Sequence, residues 1–592
     1  MITVAEYISN FVAAQEIKQC FMVPGGGAMF LNEAFRKNKS ISVIPMHHEQ
    51  ACTMAGEGFT KLTNVPTLIS VTTGPGAINA LNGVYGAFTD SIPMFIVSGQ
   101  VKRETYGPLH HKNLRQLGDQ EVNIVSMVNN ITKYAKTITD ISELDNVLEA
   151  AFENMVSGRK GPVWIDVPID IQSSLVKDKK IKSFIPNTNF DNIDKSLYKL
   201  EKLLETSKKP VIIAGSGIRL SNSSKEFLKF AEKFNIPITT TFNSHDVVNS
   251  DHKLYIGRQG TIGDRAGNFA VENSDLLLIL GSRLNIRQIG YNFDSFSPNS
   301  KKIMVDIDKE ELNKKTLKID LKINTDLKYF FNQANKINNT SKNDDQKKFI
   351  SICKGLQKKY PVIKPEFYQS KKINPYVLMS IIHEFSANND TFVTSDGSAA
   401  VMSSQALKIK KNQRLFSNSG SASMGYGLPA AIGASIGSKN RIICIEGDGS
   451  IQMNIQELET VKYNNLNLKI IIIENGGYLS IKQTQNRFFK KEIATGPKSG
   501  LGIPELKKVS KAYGISCSQT STIKTTKDAF KKHYYKKYPH IFIVSVDKNQ
   551  GFEPKPSSKR LPNGKLVSTG LDDMAPHLEK YELNSIRQSF DI

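Results

Sequence analysis

Two apolar, strand-like runs in the last third of the chain each end in residues that could hold a metal ion. The run at 441–446 leads into Asp448, and the run at 468–474 leads into Asn475 and two glycines. Because ligands of open α/β sheets bind outside the carboxyl ends of the strands, we expect both side chains to face one crevice. A carboxylate, an amide oxygen and the backbone carbonyl of Gly477 suit Mg²⁺ that also bridges phosphate oxygens.

The turn after the first of these runs could also approach a diphosphate. Gly447 and Gly449 flank Asp448 and allow a close backbone approach, and the N–H groups of Gly449 and Ser450 can donate hydrogen bonds to phosphate oxygens. A Gly-Asp-Gly triplet alone is more often a simple turn at the end of a strand. The placement of Asn475 at the end of the next strand favours the ligand site.

Two helix starts follow from side-chain spacing. Thr3 and Glu6 have the spacing of a capping box near the beginning of the chain, and Asn454 and Glu457 have the same spacing just after the Gly-Asp-Gly turn. We therefore expect helices to begin at both places.

The elements that must position these groups alternate in a regular way. Short β-rich apolar runs and helix-like stretches occur in three segments, which predicts three α/β domains, each a mostly parallel sheet flanked by helices. The three domains are placed at residues 1–180, 190–340 and 365–550. A polar stretch at 337–348 is predicted to be a linker, and the segment 551–592, rich in Pro, Gly, Ser and Lys, is predicted to be a tail or lid.

Composition excludes several classes of protein. The 592 residues are 39% hydrophobic and 23% charged, which is typical of a large globular chain, and the apolar runs are far shorter than a bilayer crossing needs. The five scattered cysteines form no C-x-x-C pair, so neither a disulfide framework nor a zinc site is expected. We expect a soluble, cytoplasmic protein without a membrane partner.

The charge balance raises a different question. The net charge of +22 invites a nucleic-acid interpretation, but the basic residues are spread along the whole chain instead of clustering with aromatic residues. We therefore expect no nucleic-acid partner. A solvated basic surface or the attraction of a small anionic substrate explains the charge.

Further motifs occur in an order that is characteristic of one enzyme family. They are VPGGGAMF (23–30), HHEQACTMAGEGF (47–59), TTGPGAINALNGVYGAFTDSIPMFIVSGQV (72–101), GDQEV (118–122), IPITTTF (236–242), GSRLNIRQIG (281–290), VDID (305–308) and NSGSASMGYGLPAAIGAS (418–435). With the GDGS and Asn475 pair, the chain resembles the acetohydroxyacid (acetolactate) synthase family of thiamine diphosphate-dependent enzymes. The resemblance implies a pyrimidine-binding first domain, a Rossmann-like central domain and a diphosphate-binding third domain.

The resemblance also implies the cofactors and the residues that bind them. Thiamine diphosphate and Mg²⁺ are the implied cofactors, with Asp448, Asn475 and Gly477 as metal ligands. By likeness, Glu49 hydrogen-bonds the pyrimidine ring and promotes removal of the thiazolium C2 proton, and Met424 supports the bent cofactor. The implied cofactor-binding set is Gly26, Glu49, Thr73, Asn79, Gly397, Ser398, Ser423, Met424, Gly447, Asp448, Gly449, Ser450, Asn475, Gly477 and Tyr478.

The acceptor side resembles the synthases only in part. Gln120 matches a substrate-pocket glutamine and Arg287 matches the arginine that holds the acceptor carboxylate, although a structural arginine would explain the latter equally well. Thr484 stands where the synthases carry a Trp, and Asp119 replaces a Phe. These departures resemble the branch that transfers the two-carbon unit of pyruvate to a nucleotide-linked keto deoxy sugar in the synthesis of bacterial surface polysaccharides.

Other interpretations of the same residues remain open. An acetolactate synthase would use pyruvate itself as acceptor, and a decarboxylase would use the adjacent pair His110 and His111 for proton transfer. A cofactor-binding scaffold without activity is the non-enzyme alternative, which an intact Glu49, Asp448 and Asn475 disfavour.

FAD and subunit assembly complete the expectations. GSG at 215–217, Arg159 and Asp306 are similar to positions that line FAD in the synthases, but the chain has GTIG at 260–263 where they have a Met-His pair. The resemblance thus leaves FAD binding open. It also implies a homodimer or a homotetramer, in which two subunits build each site.

Overall fold

The computed structural model of the protein describes residues 1–111, 113–184, 190–338, 344–560, 563–564 and 566–592. Three six-stranded sheets, each entirely parallel and flanked by helices, form the framework, which confirms the predicted three-domain α/β fold. Within these described residues, no helix combines the length and the apolar character needed to cross a membrane.

The first domain has a sheet of strand order β3-β2-β4-β5-β7-β6 and a short antiparallel pair, β1 with β8. Its strands are β1 (Ile2–Thr3), β2 (Gln19–Met22), β3 (Ser42–Pro45), β4 (Thr67–Val71), β5 (Met94–Gln100), β6 (Tyr134–Thr137), β7 (Pro162–Pro168) and β8 (Leu175–Val176). Its helices are α1 (Val4–Ala14), α2 (Met29–Lys37), α3 (Glu49–Thr63), α4 (Pro75–Asn79), α5 (Leu81–Thr89), α6 (Gly107–His110), α7 (Ile124–Val128), α8 (Leu144–Val156) and α9 (Ile169–Ser173). The capping box of Thr3 and Glu6 is present at the start of α1, as predicted.

The central domain has the strand order β11-β10-β9-β12-β13-β14. The chain adds β10 and β11 on one side of β9 and then returns to add β12, β13 and β14 on the other side, as in Rossmann-like sheets. Its strands are β9 (Pro210–Ala214), β10 (Ile238–Thr240), β11 (Tyr255–Arg258), β12 (Leu276–Leu280), β13 (Lys301–Asp306) and β14 (Leu321–Asn324). Its helices are α10 (Asp194–Thr206), α11 (Gly217–Leu220), α12 (Ser224–Lys233), α13 (Arg265–Glu272), α14 (Ile286–Ile289), α15 (Lys309–Asn313), α16 (Leu327–Ala334) and α17 (Asp344–Lys359).

The third domain has the order β16-β15-β17-β18-β20-β19, so its strands follow one another across the sheet in the same pattern as those of the first domain. Its strands are β15 (Thr391–Thr394), β16 (Arg414–Phe416), β17 (Ile442–Gly447), β18 (Leu468–Glu474), β19 (Ser516–Thr520) and β20 (His540–Ser545). Its helices are α18 (Pro375–Phe385), α19 (Ser398–Ala406), α20 (Gly427–Ile436), α21 (Glu457–Tyr463), α22 (Leu479–Phe489), α23 (Leu506–Ala512) and α24 (Ile523–His533).

The first and third domains share one hydrophobic core, in which α3 lies directly against α20. The two helices touch through their backbones: a Cβ at Gly58 would lie 2.1 Å from the carbonyl oxygen of Ala430, and one at Gly433 would lie 1.8 Å from that of Ala55. Only glycine permits this approach, because real Cβ atoms essentially never come within 3.0 Å of such an atom.

Two connecting segments differ from simple linkers. Of the predicted linker at 337–348, residues 339–343 lie outside the described part, and Asp344 begins α17, whose Phe349 and Cys353 are buried in the central domain. The linker prediction was therefore wrong for 344–348, where helix formation buries an apolar face.

The C-terminal segment at 551–592, apart from residues 561, 562 and 565, which are not described, runs back to the central domain. It contains β21 (Lys555–Pro556), β22 (Ser558–Arg560), β23 (Leu566–Ser568), β24 (Met574–Ala575) and α25 (Lys580–Ser589). Leu571, Ile586 and Phe590 are buried in the same cluster as Phe349 of the central domain. Packing thus fixes the end of the chain as part of the folded body.

Candidate active site

The turns after β17 and β18 bring Asp448 and Asn475 to one edge of the third sheet. The two Asp448 carboxylate oxygens accept hydrogen bonds from the N–H groups of Gly476 (2.6 Å) and Gly477 (3.1 Å). Gly476 and Gly477 have φ values of +84° and +113°, which is the region that favours glycine. The two turns are therefore joined into one rigid loop pair by the Asp448 carboxylate.

The donors at this edge fit a hard cation. Asp448 is fully buried, and burial raises the pKa of its carboxyl, while the N–H groups of Gly476, Gly477 and Gly449 act in the opposite direction. The Oδ1 atom of Asn475 is buried and has no hydrogen-bond partner among the described residues. A buried amide oxygen without a partner and a buried carboxylate both destabilise the folded state unless a ligand binds them. Mg²⁺ prefers oxygen ligands of this kind.

The glycine turn itself is shaped by its neighbours. A Cβ at Gly449 would lie 2.6 Å from the ring of Tyr478, so the Tyr478 ring packs directly on the turn. The hydroxyl of Ser450 accepts a hydrogen bond from the N–H of Gly425 (2.8 Å) and bonds to the hydroxyl of Ser395 (2.6 Å). Ser450 thereby holds the Gly-Asp-Gly turn next to the loop that carries Met424.

The loop before α20 is tied to the first domain. The Ser423 hydroxyl donates to Asn82 Oδ1 (2.7 Å), and Met424, the next residue, is half-buried.

Asn454 donates to the Gly425 carbonyl (2.8 Å), so it does not cap a helix. The predicted helix start at Asn454 was wrong, since α21 begins at Glu457 and follows a 3₁₀ turn at 451–454.

Helix α19 brings its first residue to the same edge. Gly397 precedes it with φ of +70°, and Ser398 Oγ lies 3.5 Å from the amide nitrogen of Asn475. The free N–H groups of this first turn are of the kind that bind phosphate oxygens.

The other end of α19 is held by the central domain. The buried guanidinium of Arg258, in β11, donates to the carbonyls of Ser403, Ser404 and Leu407. A cation at a helix carboxyl end satisfies the last carbonyls and is favoured by the helix dipole. Arg258 therefore anchors the carboxyl end of α19, the helix that begins at Ser398.

Glu49 is the first residue of α3, and 8% of its surface is exposed. Its Oε2 atom accepts a hydrogen bond from Asn79 Nδ2 at 3.1 Å, and a Cβ at Gly76 would lie 3.1 Å from its Oε1 atom. Asn79 and Gly76 belong to the short helix α4. The structure thus brings Glu49 and Asn79 together and leaves one carboxylate oxygen for a ligand.

The glycine-rich turn after β2 lies in the same domain. A Cβ at Gly27 would meet Thr73 Oγ1 at 1.8 Å, and this buried hydroxyl has no hydrogen-bond partner among the described residues. Gly26 is exposed, and a Cβ there would meet nothing within 4 Å. These features leave open space and a free polar atom where a ring could bind.

A buried charged cluster joins the first and third domains close to this region. Lys61 Nζ lies 2.6 Å from Glu57, 2.7 Å from Asp90 and 2.5 Å from the carbonyl oxygen of Ser417. Asp90 in turn accepts a hydrogen bond from the N–H of Gly420 (3.2 Å), in the loop that leads to Met424. The cluster therefore anchors the loop that leads to Met424.

The residues predicted for the acceptor side are less closely grouped. Arg287 lies in α14, and its carbonyl oxygen accepts from the N–H of Thr261 (2.7 Å), within the GTIG segment. Its side chain lines a small cavity with Phe242 and Asp396. Gln120 is an exposed loop residue with φ of +61° whose carbonyl oxygen packs against Gly74.

Thr484 lies on the exposed face of α22, and its hydroxyl donates to the Ser480 carbonyl (3.1 Å). Ile481, Phe488 and Phe489 are also exposed on or at the end of this helix. Position 484 thus presents a short polar side chain to solvent.

Three domain families of thiamine pyrophosphate enzymes match the chain in the order of its sheets. The N-terminal TPP binding domain matches residues 2–127, the central domain matches residues 197–334 and the C-terminal TPP binding domain matches residues 396–545. An acetolactate synthase large subunit of Cyanidium caldarium is 32% identical over 88% of this chain and 89% of that protein. The chain belongs to the acetolactate synthase family of thiamine pyrophosphate-dependent enzymes.

Other relatives in this family come from distant sources. A probable acetolactate synthase large subunit of Methanococcus aeolicus is 29% identical over 94% of this chain and 94% of that protein. An acetolactate synthase large subunit of Lactococcus lactis is 31% identical over 86% of this chain and 87% of that protein. The family assignment makes the chain a thiamine diphosphate-dependent carboligase, with Glu49 in its N-terminal TPP domain and Asp448 in its C-terminal one.

Sequence reasoning missed several residues that contact the site of this acetolactate synthase family member. Asp396 lines the cavity with Arg287, Lys61 supports the Met424 loop, and Glu457, expected only as part of a helix cap, accepts a hydrogen bond from the N–H of His47 (3.1 Å). Each contact joins residues far apart in the chain. Only for Asp396, which directly precedes the predicted Gly397, could its position in the sequence have drawn attention.

Proposed function

We propose that the protein uses thiamine diphosphate and Mg²⁺ to decarboxylate pyruvate and to transfer the resulting two-carbon unit to a ketone acceptor. The arrangement of Asp448, Asn475 and Gly477 at one sheet edge carries this proposal, because it offers oxygen ligands to a metal that would bridge a diphosphate. The family names of the relatives support pyruvate as the donor.

The chain's own residues would bind and orient the reaction. Bound thiamine diphosphate supplies a nucleophilic carbon and an electron sink for the decarboxylation. Asn79 orients the Glu49 carboxylate, whose free oxygen would hold a proton at a ring nitrogen of the bound pyrimidine. Met424 would support the cofactor from its loop, and Ser398 would donate to the diphosphate.

The acceptor we propose is a nucleotide-linked keto deoxy sugar. The cavity at Arg287 is lined by hydroxyl and amide groups, which include Ser417, Asn418 and Ser419, and the exposed Thr484 side chain on α22 is much smaller than an indole ring. A hydroxylated ketone suits this polar lining better than a second short keto acid does.

Acetolactate synthesis is the second candidate, and the names of all the relatives cited above favour it. Incubating the protein with pyruvate, thiamine diphosphate and Mg²⁺, with and without nucleotide-linked keto sugars, distinguishes the two by the mass of the products. Efficient acetolactate formation with no sugar product would show that the protein acts as an acetolactate synthase. Acetaldehyde as the main product would indicate a decarboxylase. In this structure His110, the candidate for proton transfer in that reaction, is hydrogen-bonded to the Arg103 carbonyl (2.8 Å).

The same proposal places FAD in the central domain. A cavity of about 690 Å³ lies between this domain and the first, lined among others by Ser216, Gly217 and Asp306, and burial raises the pKa of the Asp306 carboxyl to about 6. Arg159 also lines it, although its guanidinium is paired with Asp308 (3.0 Å) and Glu311 (2.9 Å). The flavin absorbance of the purified protein tests this point, and a colourless protein to which FAD does not bind would contradict it.

We further propose that the protein works as a homodimer or homotetramer. Large apolar side chains are exposed on the first domain, at Leu114, Leu117 and Met127, and on the third, at Phe488 and Phe489. A second copy of the chain could cover them. An active monomer in sedimentation at assay concentration would contradict this proposal.

A further inference from the structure

Asp396 occupies a position that the reaction proposed above does not yet use. It follows β15 and precedes Gly397, so it lies at the edge of the third sheet where the cofactor-binding turns lie. Its carboxylate is half-buried, and the N–H of Gly397 lowers the pKa of this carboxyl. The small cavity that it lines also contains Arg287 and Phe242 of the central domain.

Asp396 and Arg287 face a shared space without closing it. The Arg287 guanidinium lies over the Phe242 ring, 5.8 Å from its centroid, and near enough to the Asp396 carboxyl to act on its pKa. Burial raises the pKa of the Asp396 carboxyl, and the nearby Arg287 acts in the opposite direction. The cavity between these two opposite charges has a volume of about 10 Å³, enough for a single hydroxyl group of a ligand.

The remaining lining is small and polar. Ser395, Ser417, Asn418 and Ser419 contribute hydroxyl and amide groups, whereas Ala400 and Ala422 contribute only methyl groups. Such a lining has many hydrogen-bonding groups and little apolar surface for an alkyl chain.

The small cavity also lies next to a larger space. Phe242, Arg287 and Ser419 line both this cavity and the cavity of about 690 Å³ between the first and central domains. An acceptor hydroxyl group held between Asp396 and Arg287 would therefore lie at the margin of the cavity proposed for FAD.

We propose that Asp396 is a specificity-determining residue for the acceptor, which accepts hydrogen bonds from hydroxyl groups of a ketone and disfavours a carboxylate at the same place. The inference rests on the proposed function, since it concerns the acceptor of that transfer. A 2-keto acid would bring its carboxylate to Arg287 and so toward the fixed charge of Asp396, and like charges that are brought together weaken binding. A hydroxylated ketone would instead donate to Asp396.

The experiment compares two acceptors in the holoenzyme. Pyruvate alone reports transfer to a keto acid, and pyruvate with 1,3-dihydroxyacetone reports transfer to an uncharged hydroxylated ketone; each product is divided by the CO₂ released. In Asp396→Asn, acetolactate per CO₂ should rise about tenfold and the dihydroxyacetone product should fall by a similar factor. Asp396→Glu should keep the wild-type preference, and Asp528→Asn, on the exposed face of α24, is the matched control.

Two outcomes separate the inference from the function on which it rests. If the wild type releases CO₂ from pyruvate but Asp396→Asn has the wild-type product ratio, the role of Asp396 is overturned and the proposed function stands. If the wild type releases no CO₂ with both cofactors present, the proposed function itself fails. The KM for each acceptor is a further measurement. A purely structural role of Asp396 would not change the two KM values in opposite directions, since a loss of folding lowers both reactions together.

Discussion

The first and third domains have the same strand order, yet they present different chemistry at the same edge. In each sheet the second and third strands in chain order are joined by a helix, α3 in the first domain and α20 in the third, and these two equivalent helices pack on each other. The first domain begins its helix with the carboxylate of Glu49, whereas the third precedes its helix with the loop of Met424. One framework thus serves two roles, because a few residues at the strand and helix ends determine the chemistry.

Asp448→Ala should have the largest effect, and it tests the role assigned to the third domain. The change removes a metal ligand and also leaves the N–H groups of Gly476 and Gly477 without their acceptor, so the turn that carries Asn475 should lose its geometry. We expect Mg²⁺-dependent binding of thiamine diphosphate to weaken by about 100-fold or more, measured by calorimetry. Asp528→Asn is the control, and normal cofactor affinity in Asp448→Ala would contradict the metal site.

Glu49→Gln tests the corresponding role of the first domain. The amide keeps the size of the side chain and can still bond to Asn79, but it cannot hold a proton in the same way, so turnover should fall by about 100-fold or more while cofactor affinity changes little. Steady-state kinetics and calorimetry on one preparation measure both quantities. Glu149→Gln, on the exposed face of α8, should behave as wild type; unchanged turnover in Glu49→Gln would remove this residue from the mechanism.

Lys61→Met tests whether the two domains depend on each other. Without the Lys61 ammonium, Glu57 and Asp90 remain buried next to each other and the Ser417 carbonyl loses its donor. We expect the free energy of unfolding to fall by about 3–5 kcal/mol, as for other buried pairs that lose one partner. Urea-induced unfolding measures the change. Lys531→Met, on exposed α24, should change it little, and equal stabilities of the two variants would show that the cluster does not hold the domains together.

Asp166→Asn should have the smallest effect, confined to a narrow pH range. Burial raises the pKa of the Asp166 carboxyl to about 6, against hydrogen bonds from Ser98, Gln100 and Thr137. The folded state therefore binds this proton more tightly than the unfolded state does, and the stability it contributes is present at low pH and lost as the pH rises from about 4 to about 6. The loss amounts to roughly 3 kcal/mol.

Urea unfolding at a series of pH values measures that loss. In Asp166→Asn, whatever its absolute stability, the free energy of unfolding should fall less between pH 4 and pH 6 than in the wild type. Parallel pH profiles for the variant and the wild type would show that this carboxyl does not titrate as described.

Much of the framework could be predicted from the sequence because the central strands are buried on both faces. The runs at 441–446 and 468–474 are largely apolar, and each forms a strand within a residue of the predicted limits. The capping box at Thr3 and Glu6 was equally readable, since both partners are local.

The failures concern groups whose partners are distant in the chain. Asn454 and Glu457 have the spacing of a capping box, but Asn454 bonds to Gly425 and Glu457 to the N–H of His47, which only the folded chain brings near. For the same reason the Asp448 edge could be proposed from local spacing, whereas the cavity between Asp396 and Arg287, built from two domains, could not. Local propensity gives way where tertiary contacts supply a better partner.

The close crossing of α3 and α20 has a consequence for motion. Packed helices normally shift past each other by small steps, as their side chains change rotamers. At Gly58 and Gly433 there are no side chains to rearrange, and a displacement would drive backbone atoms into each other. The first and third domains should therefore move as one body, so that entry of substrate and exit of product depend on parts of the molecule outside this crossing, such as the exposed loop around Gln120 and helix α22.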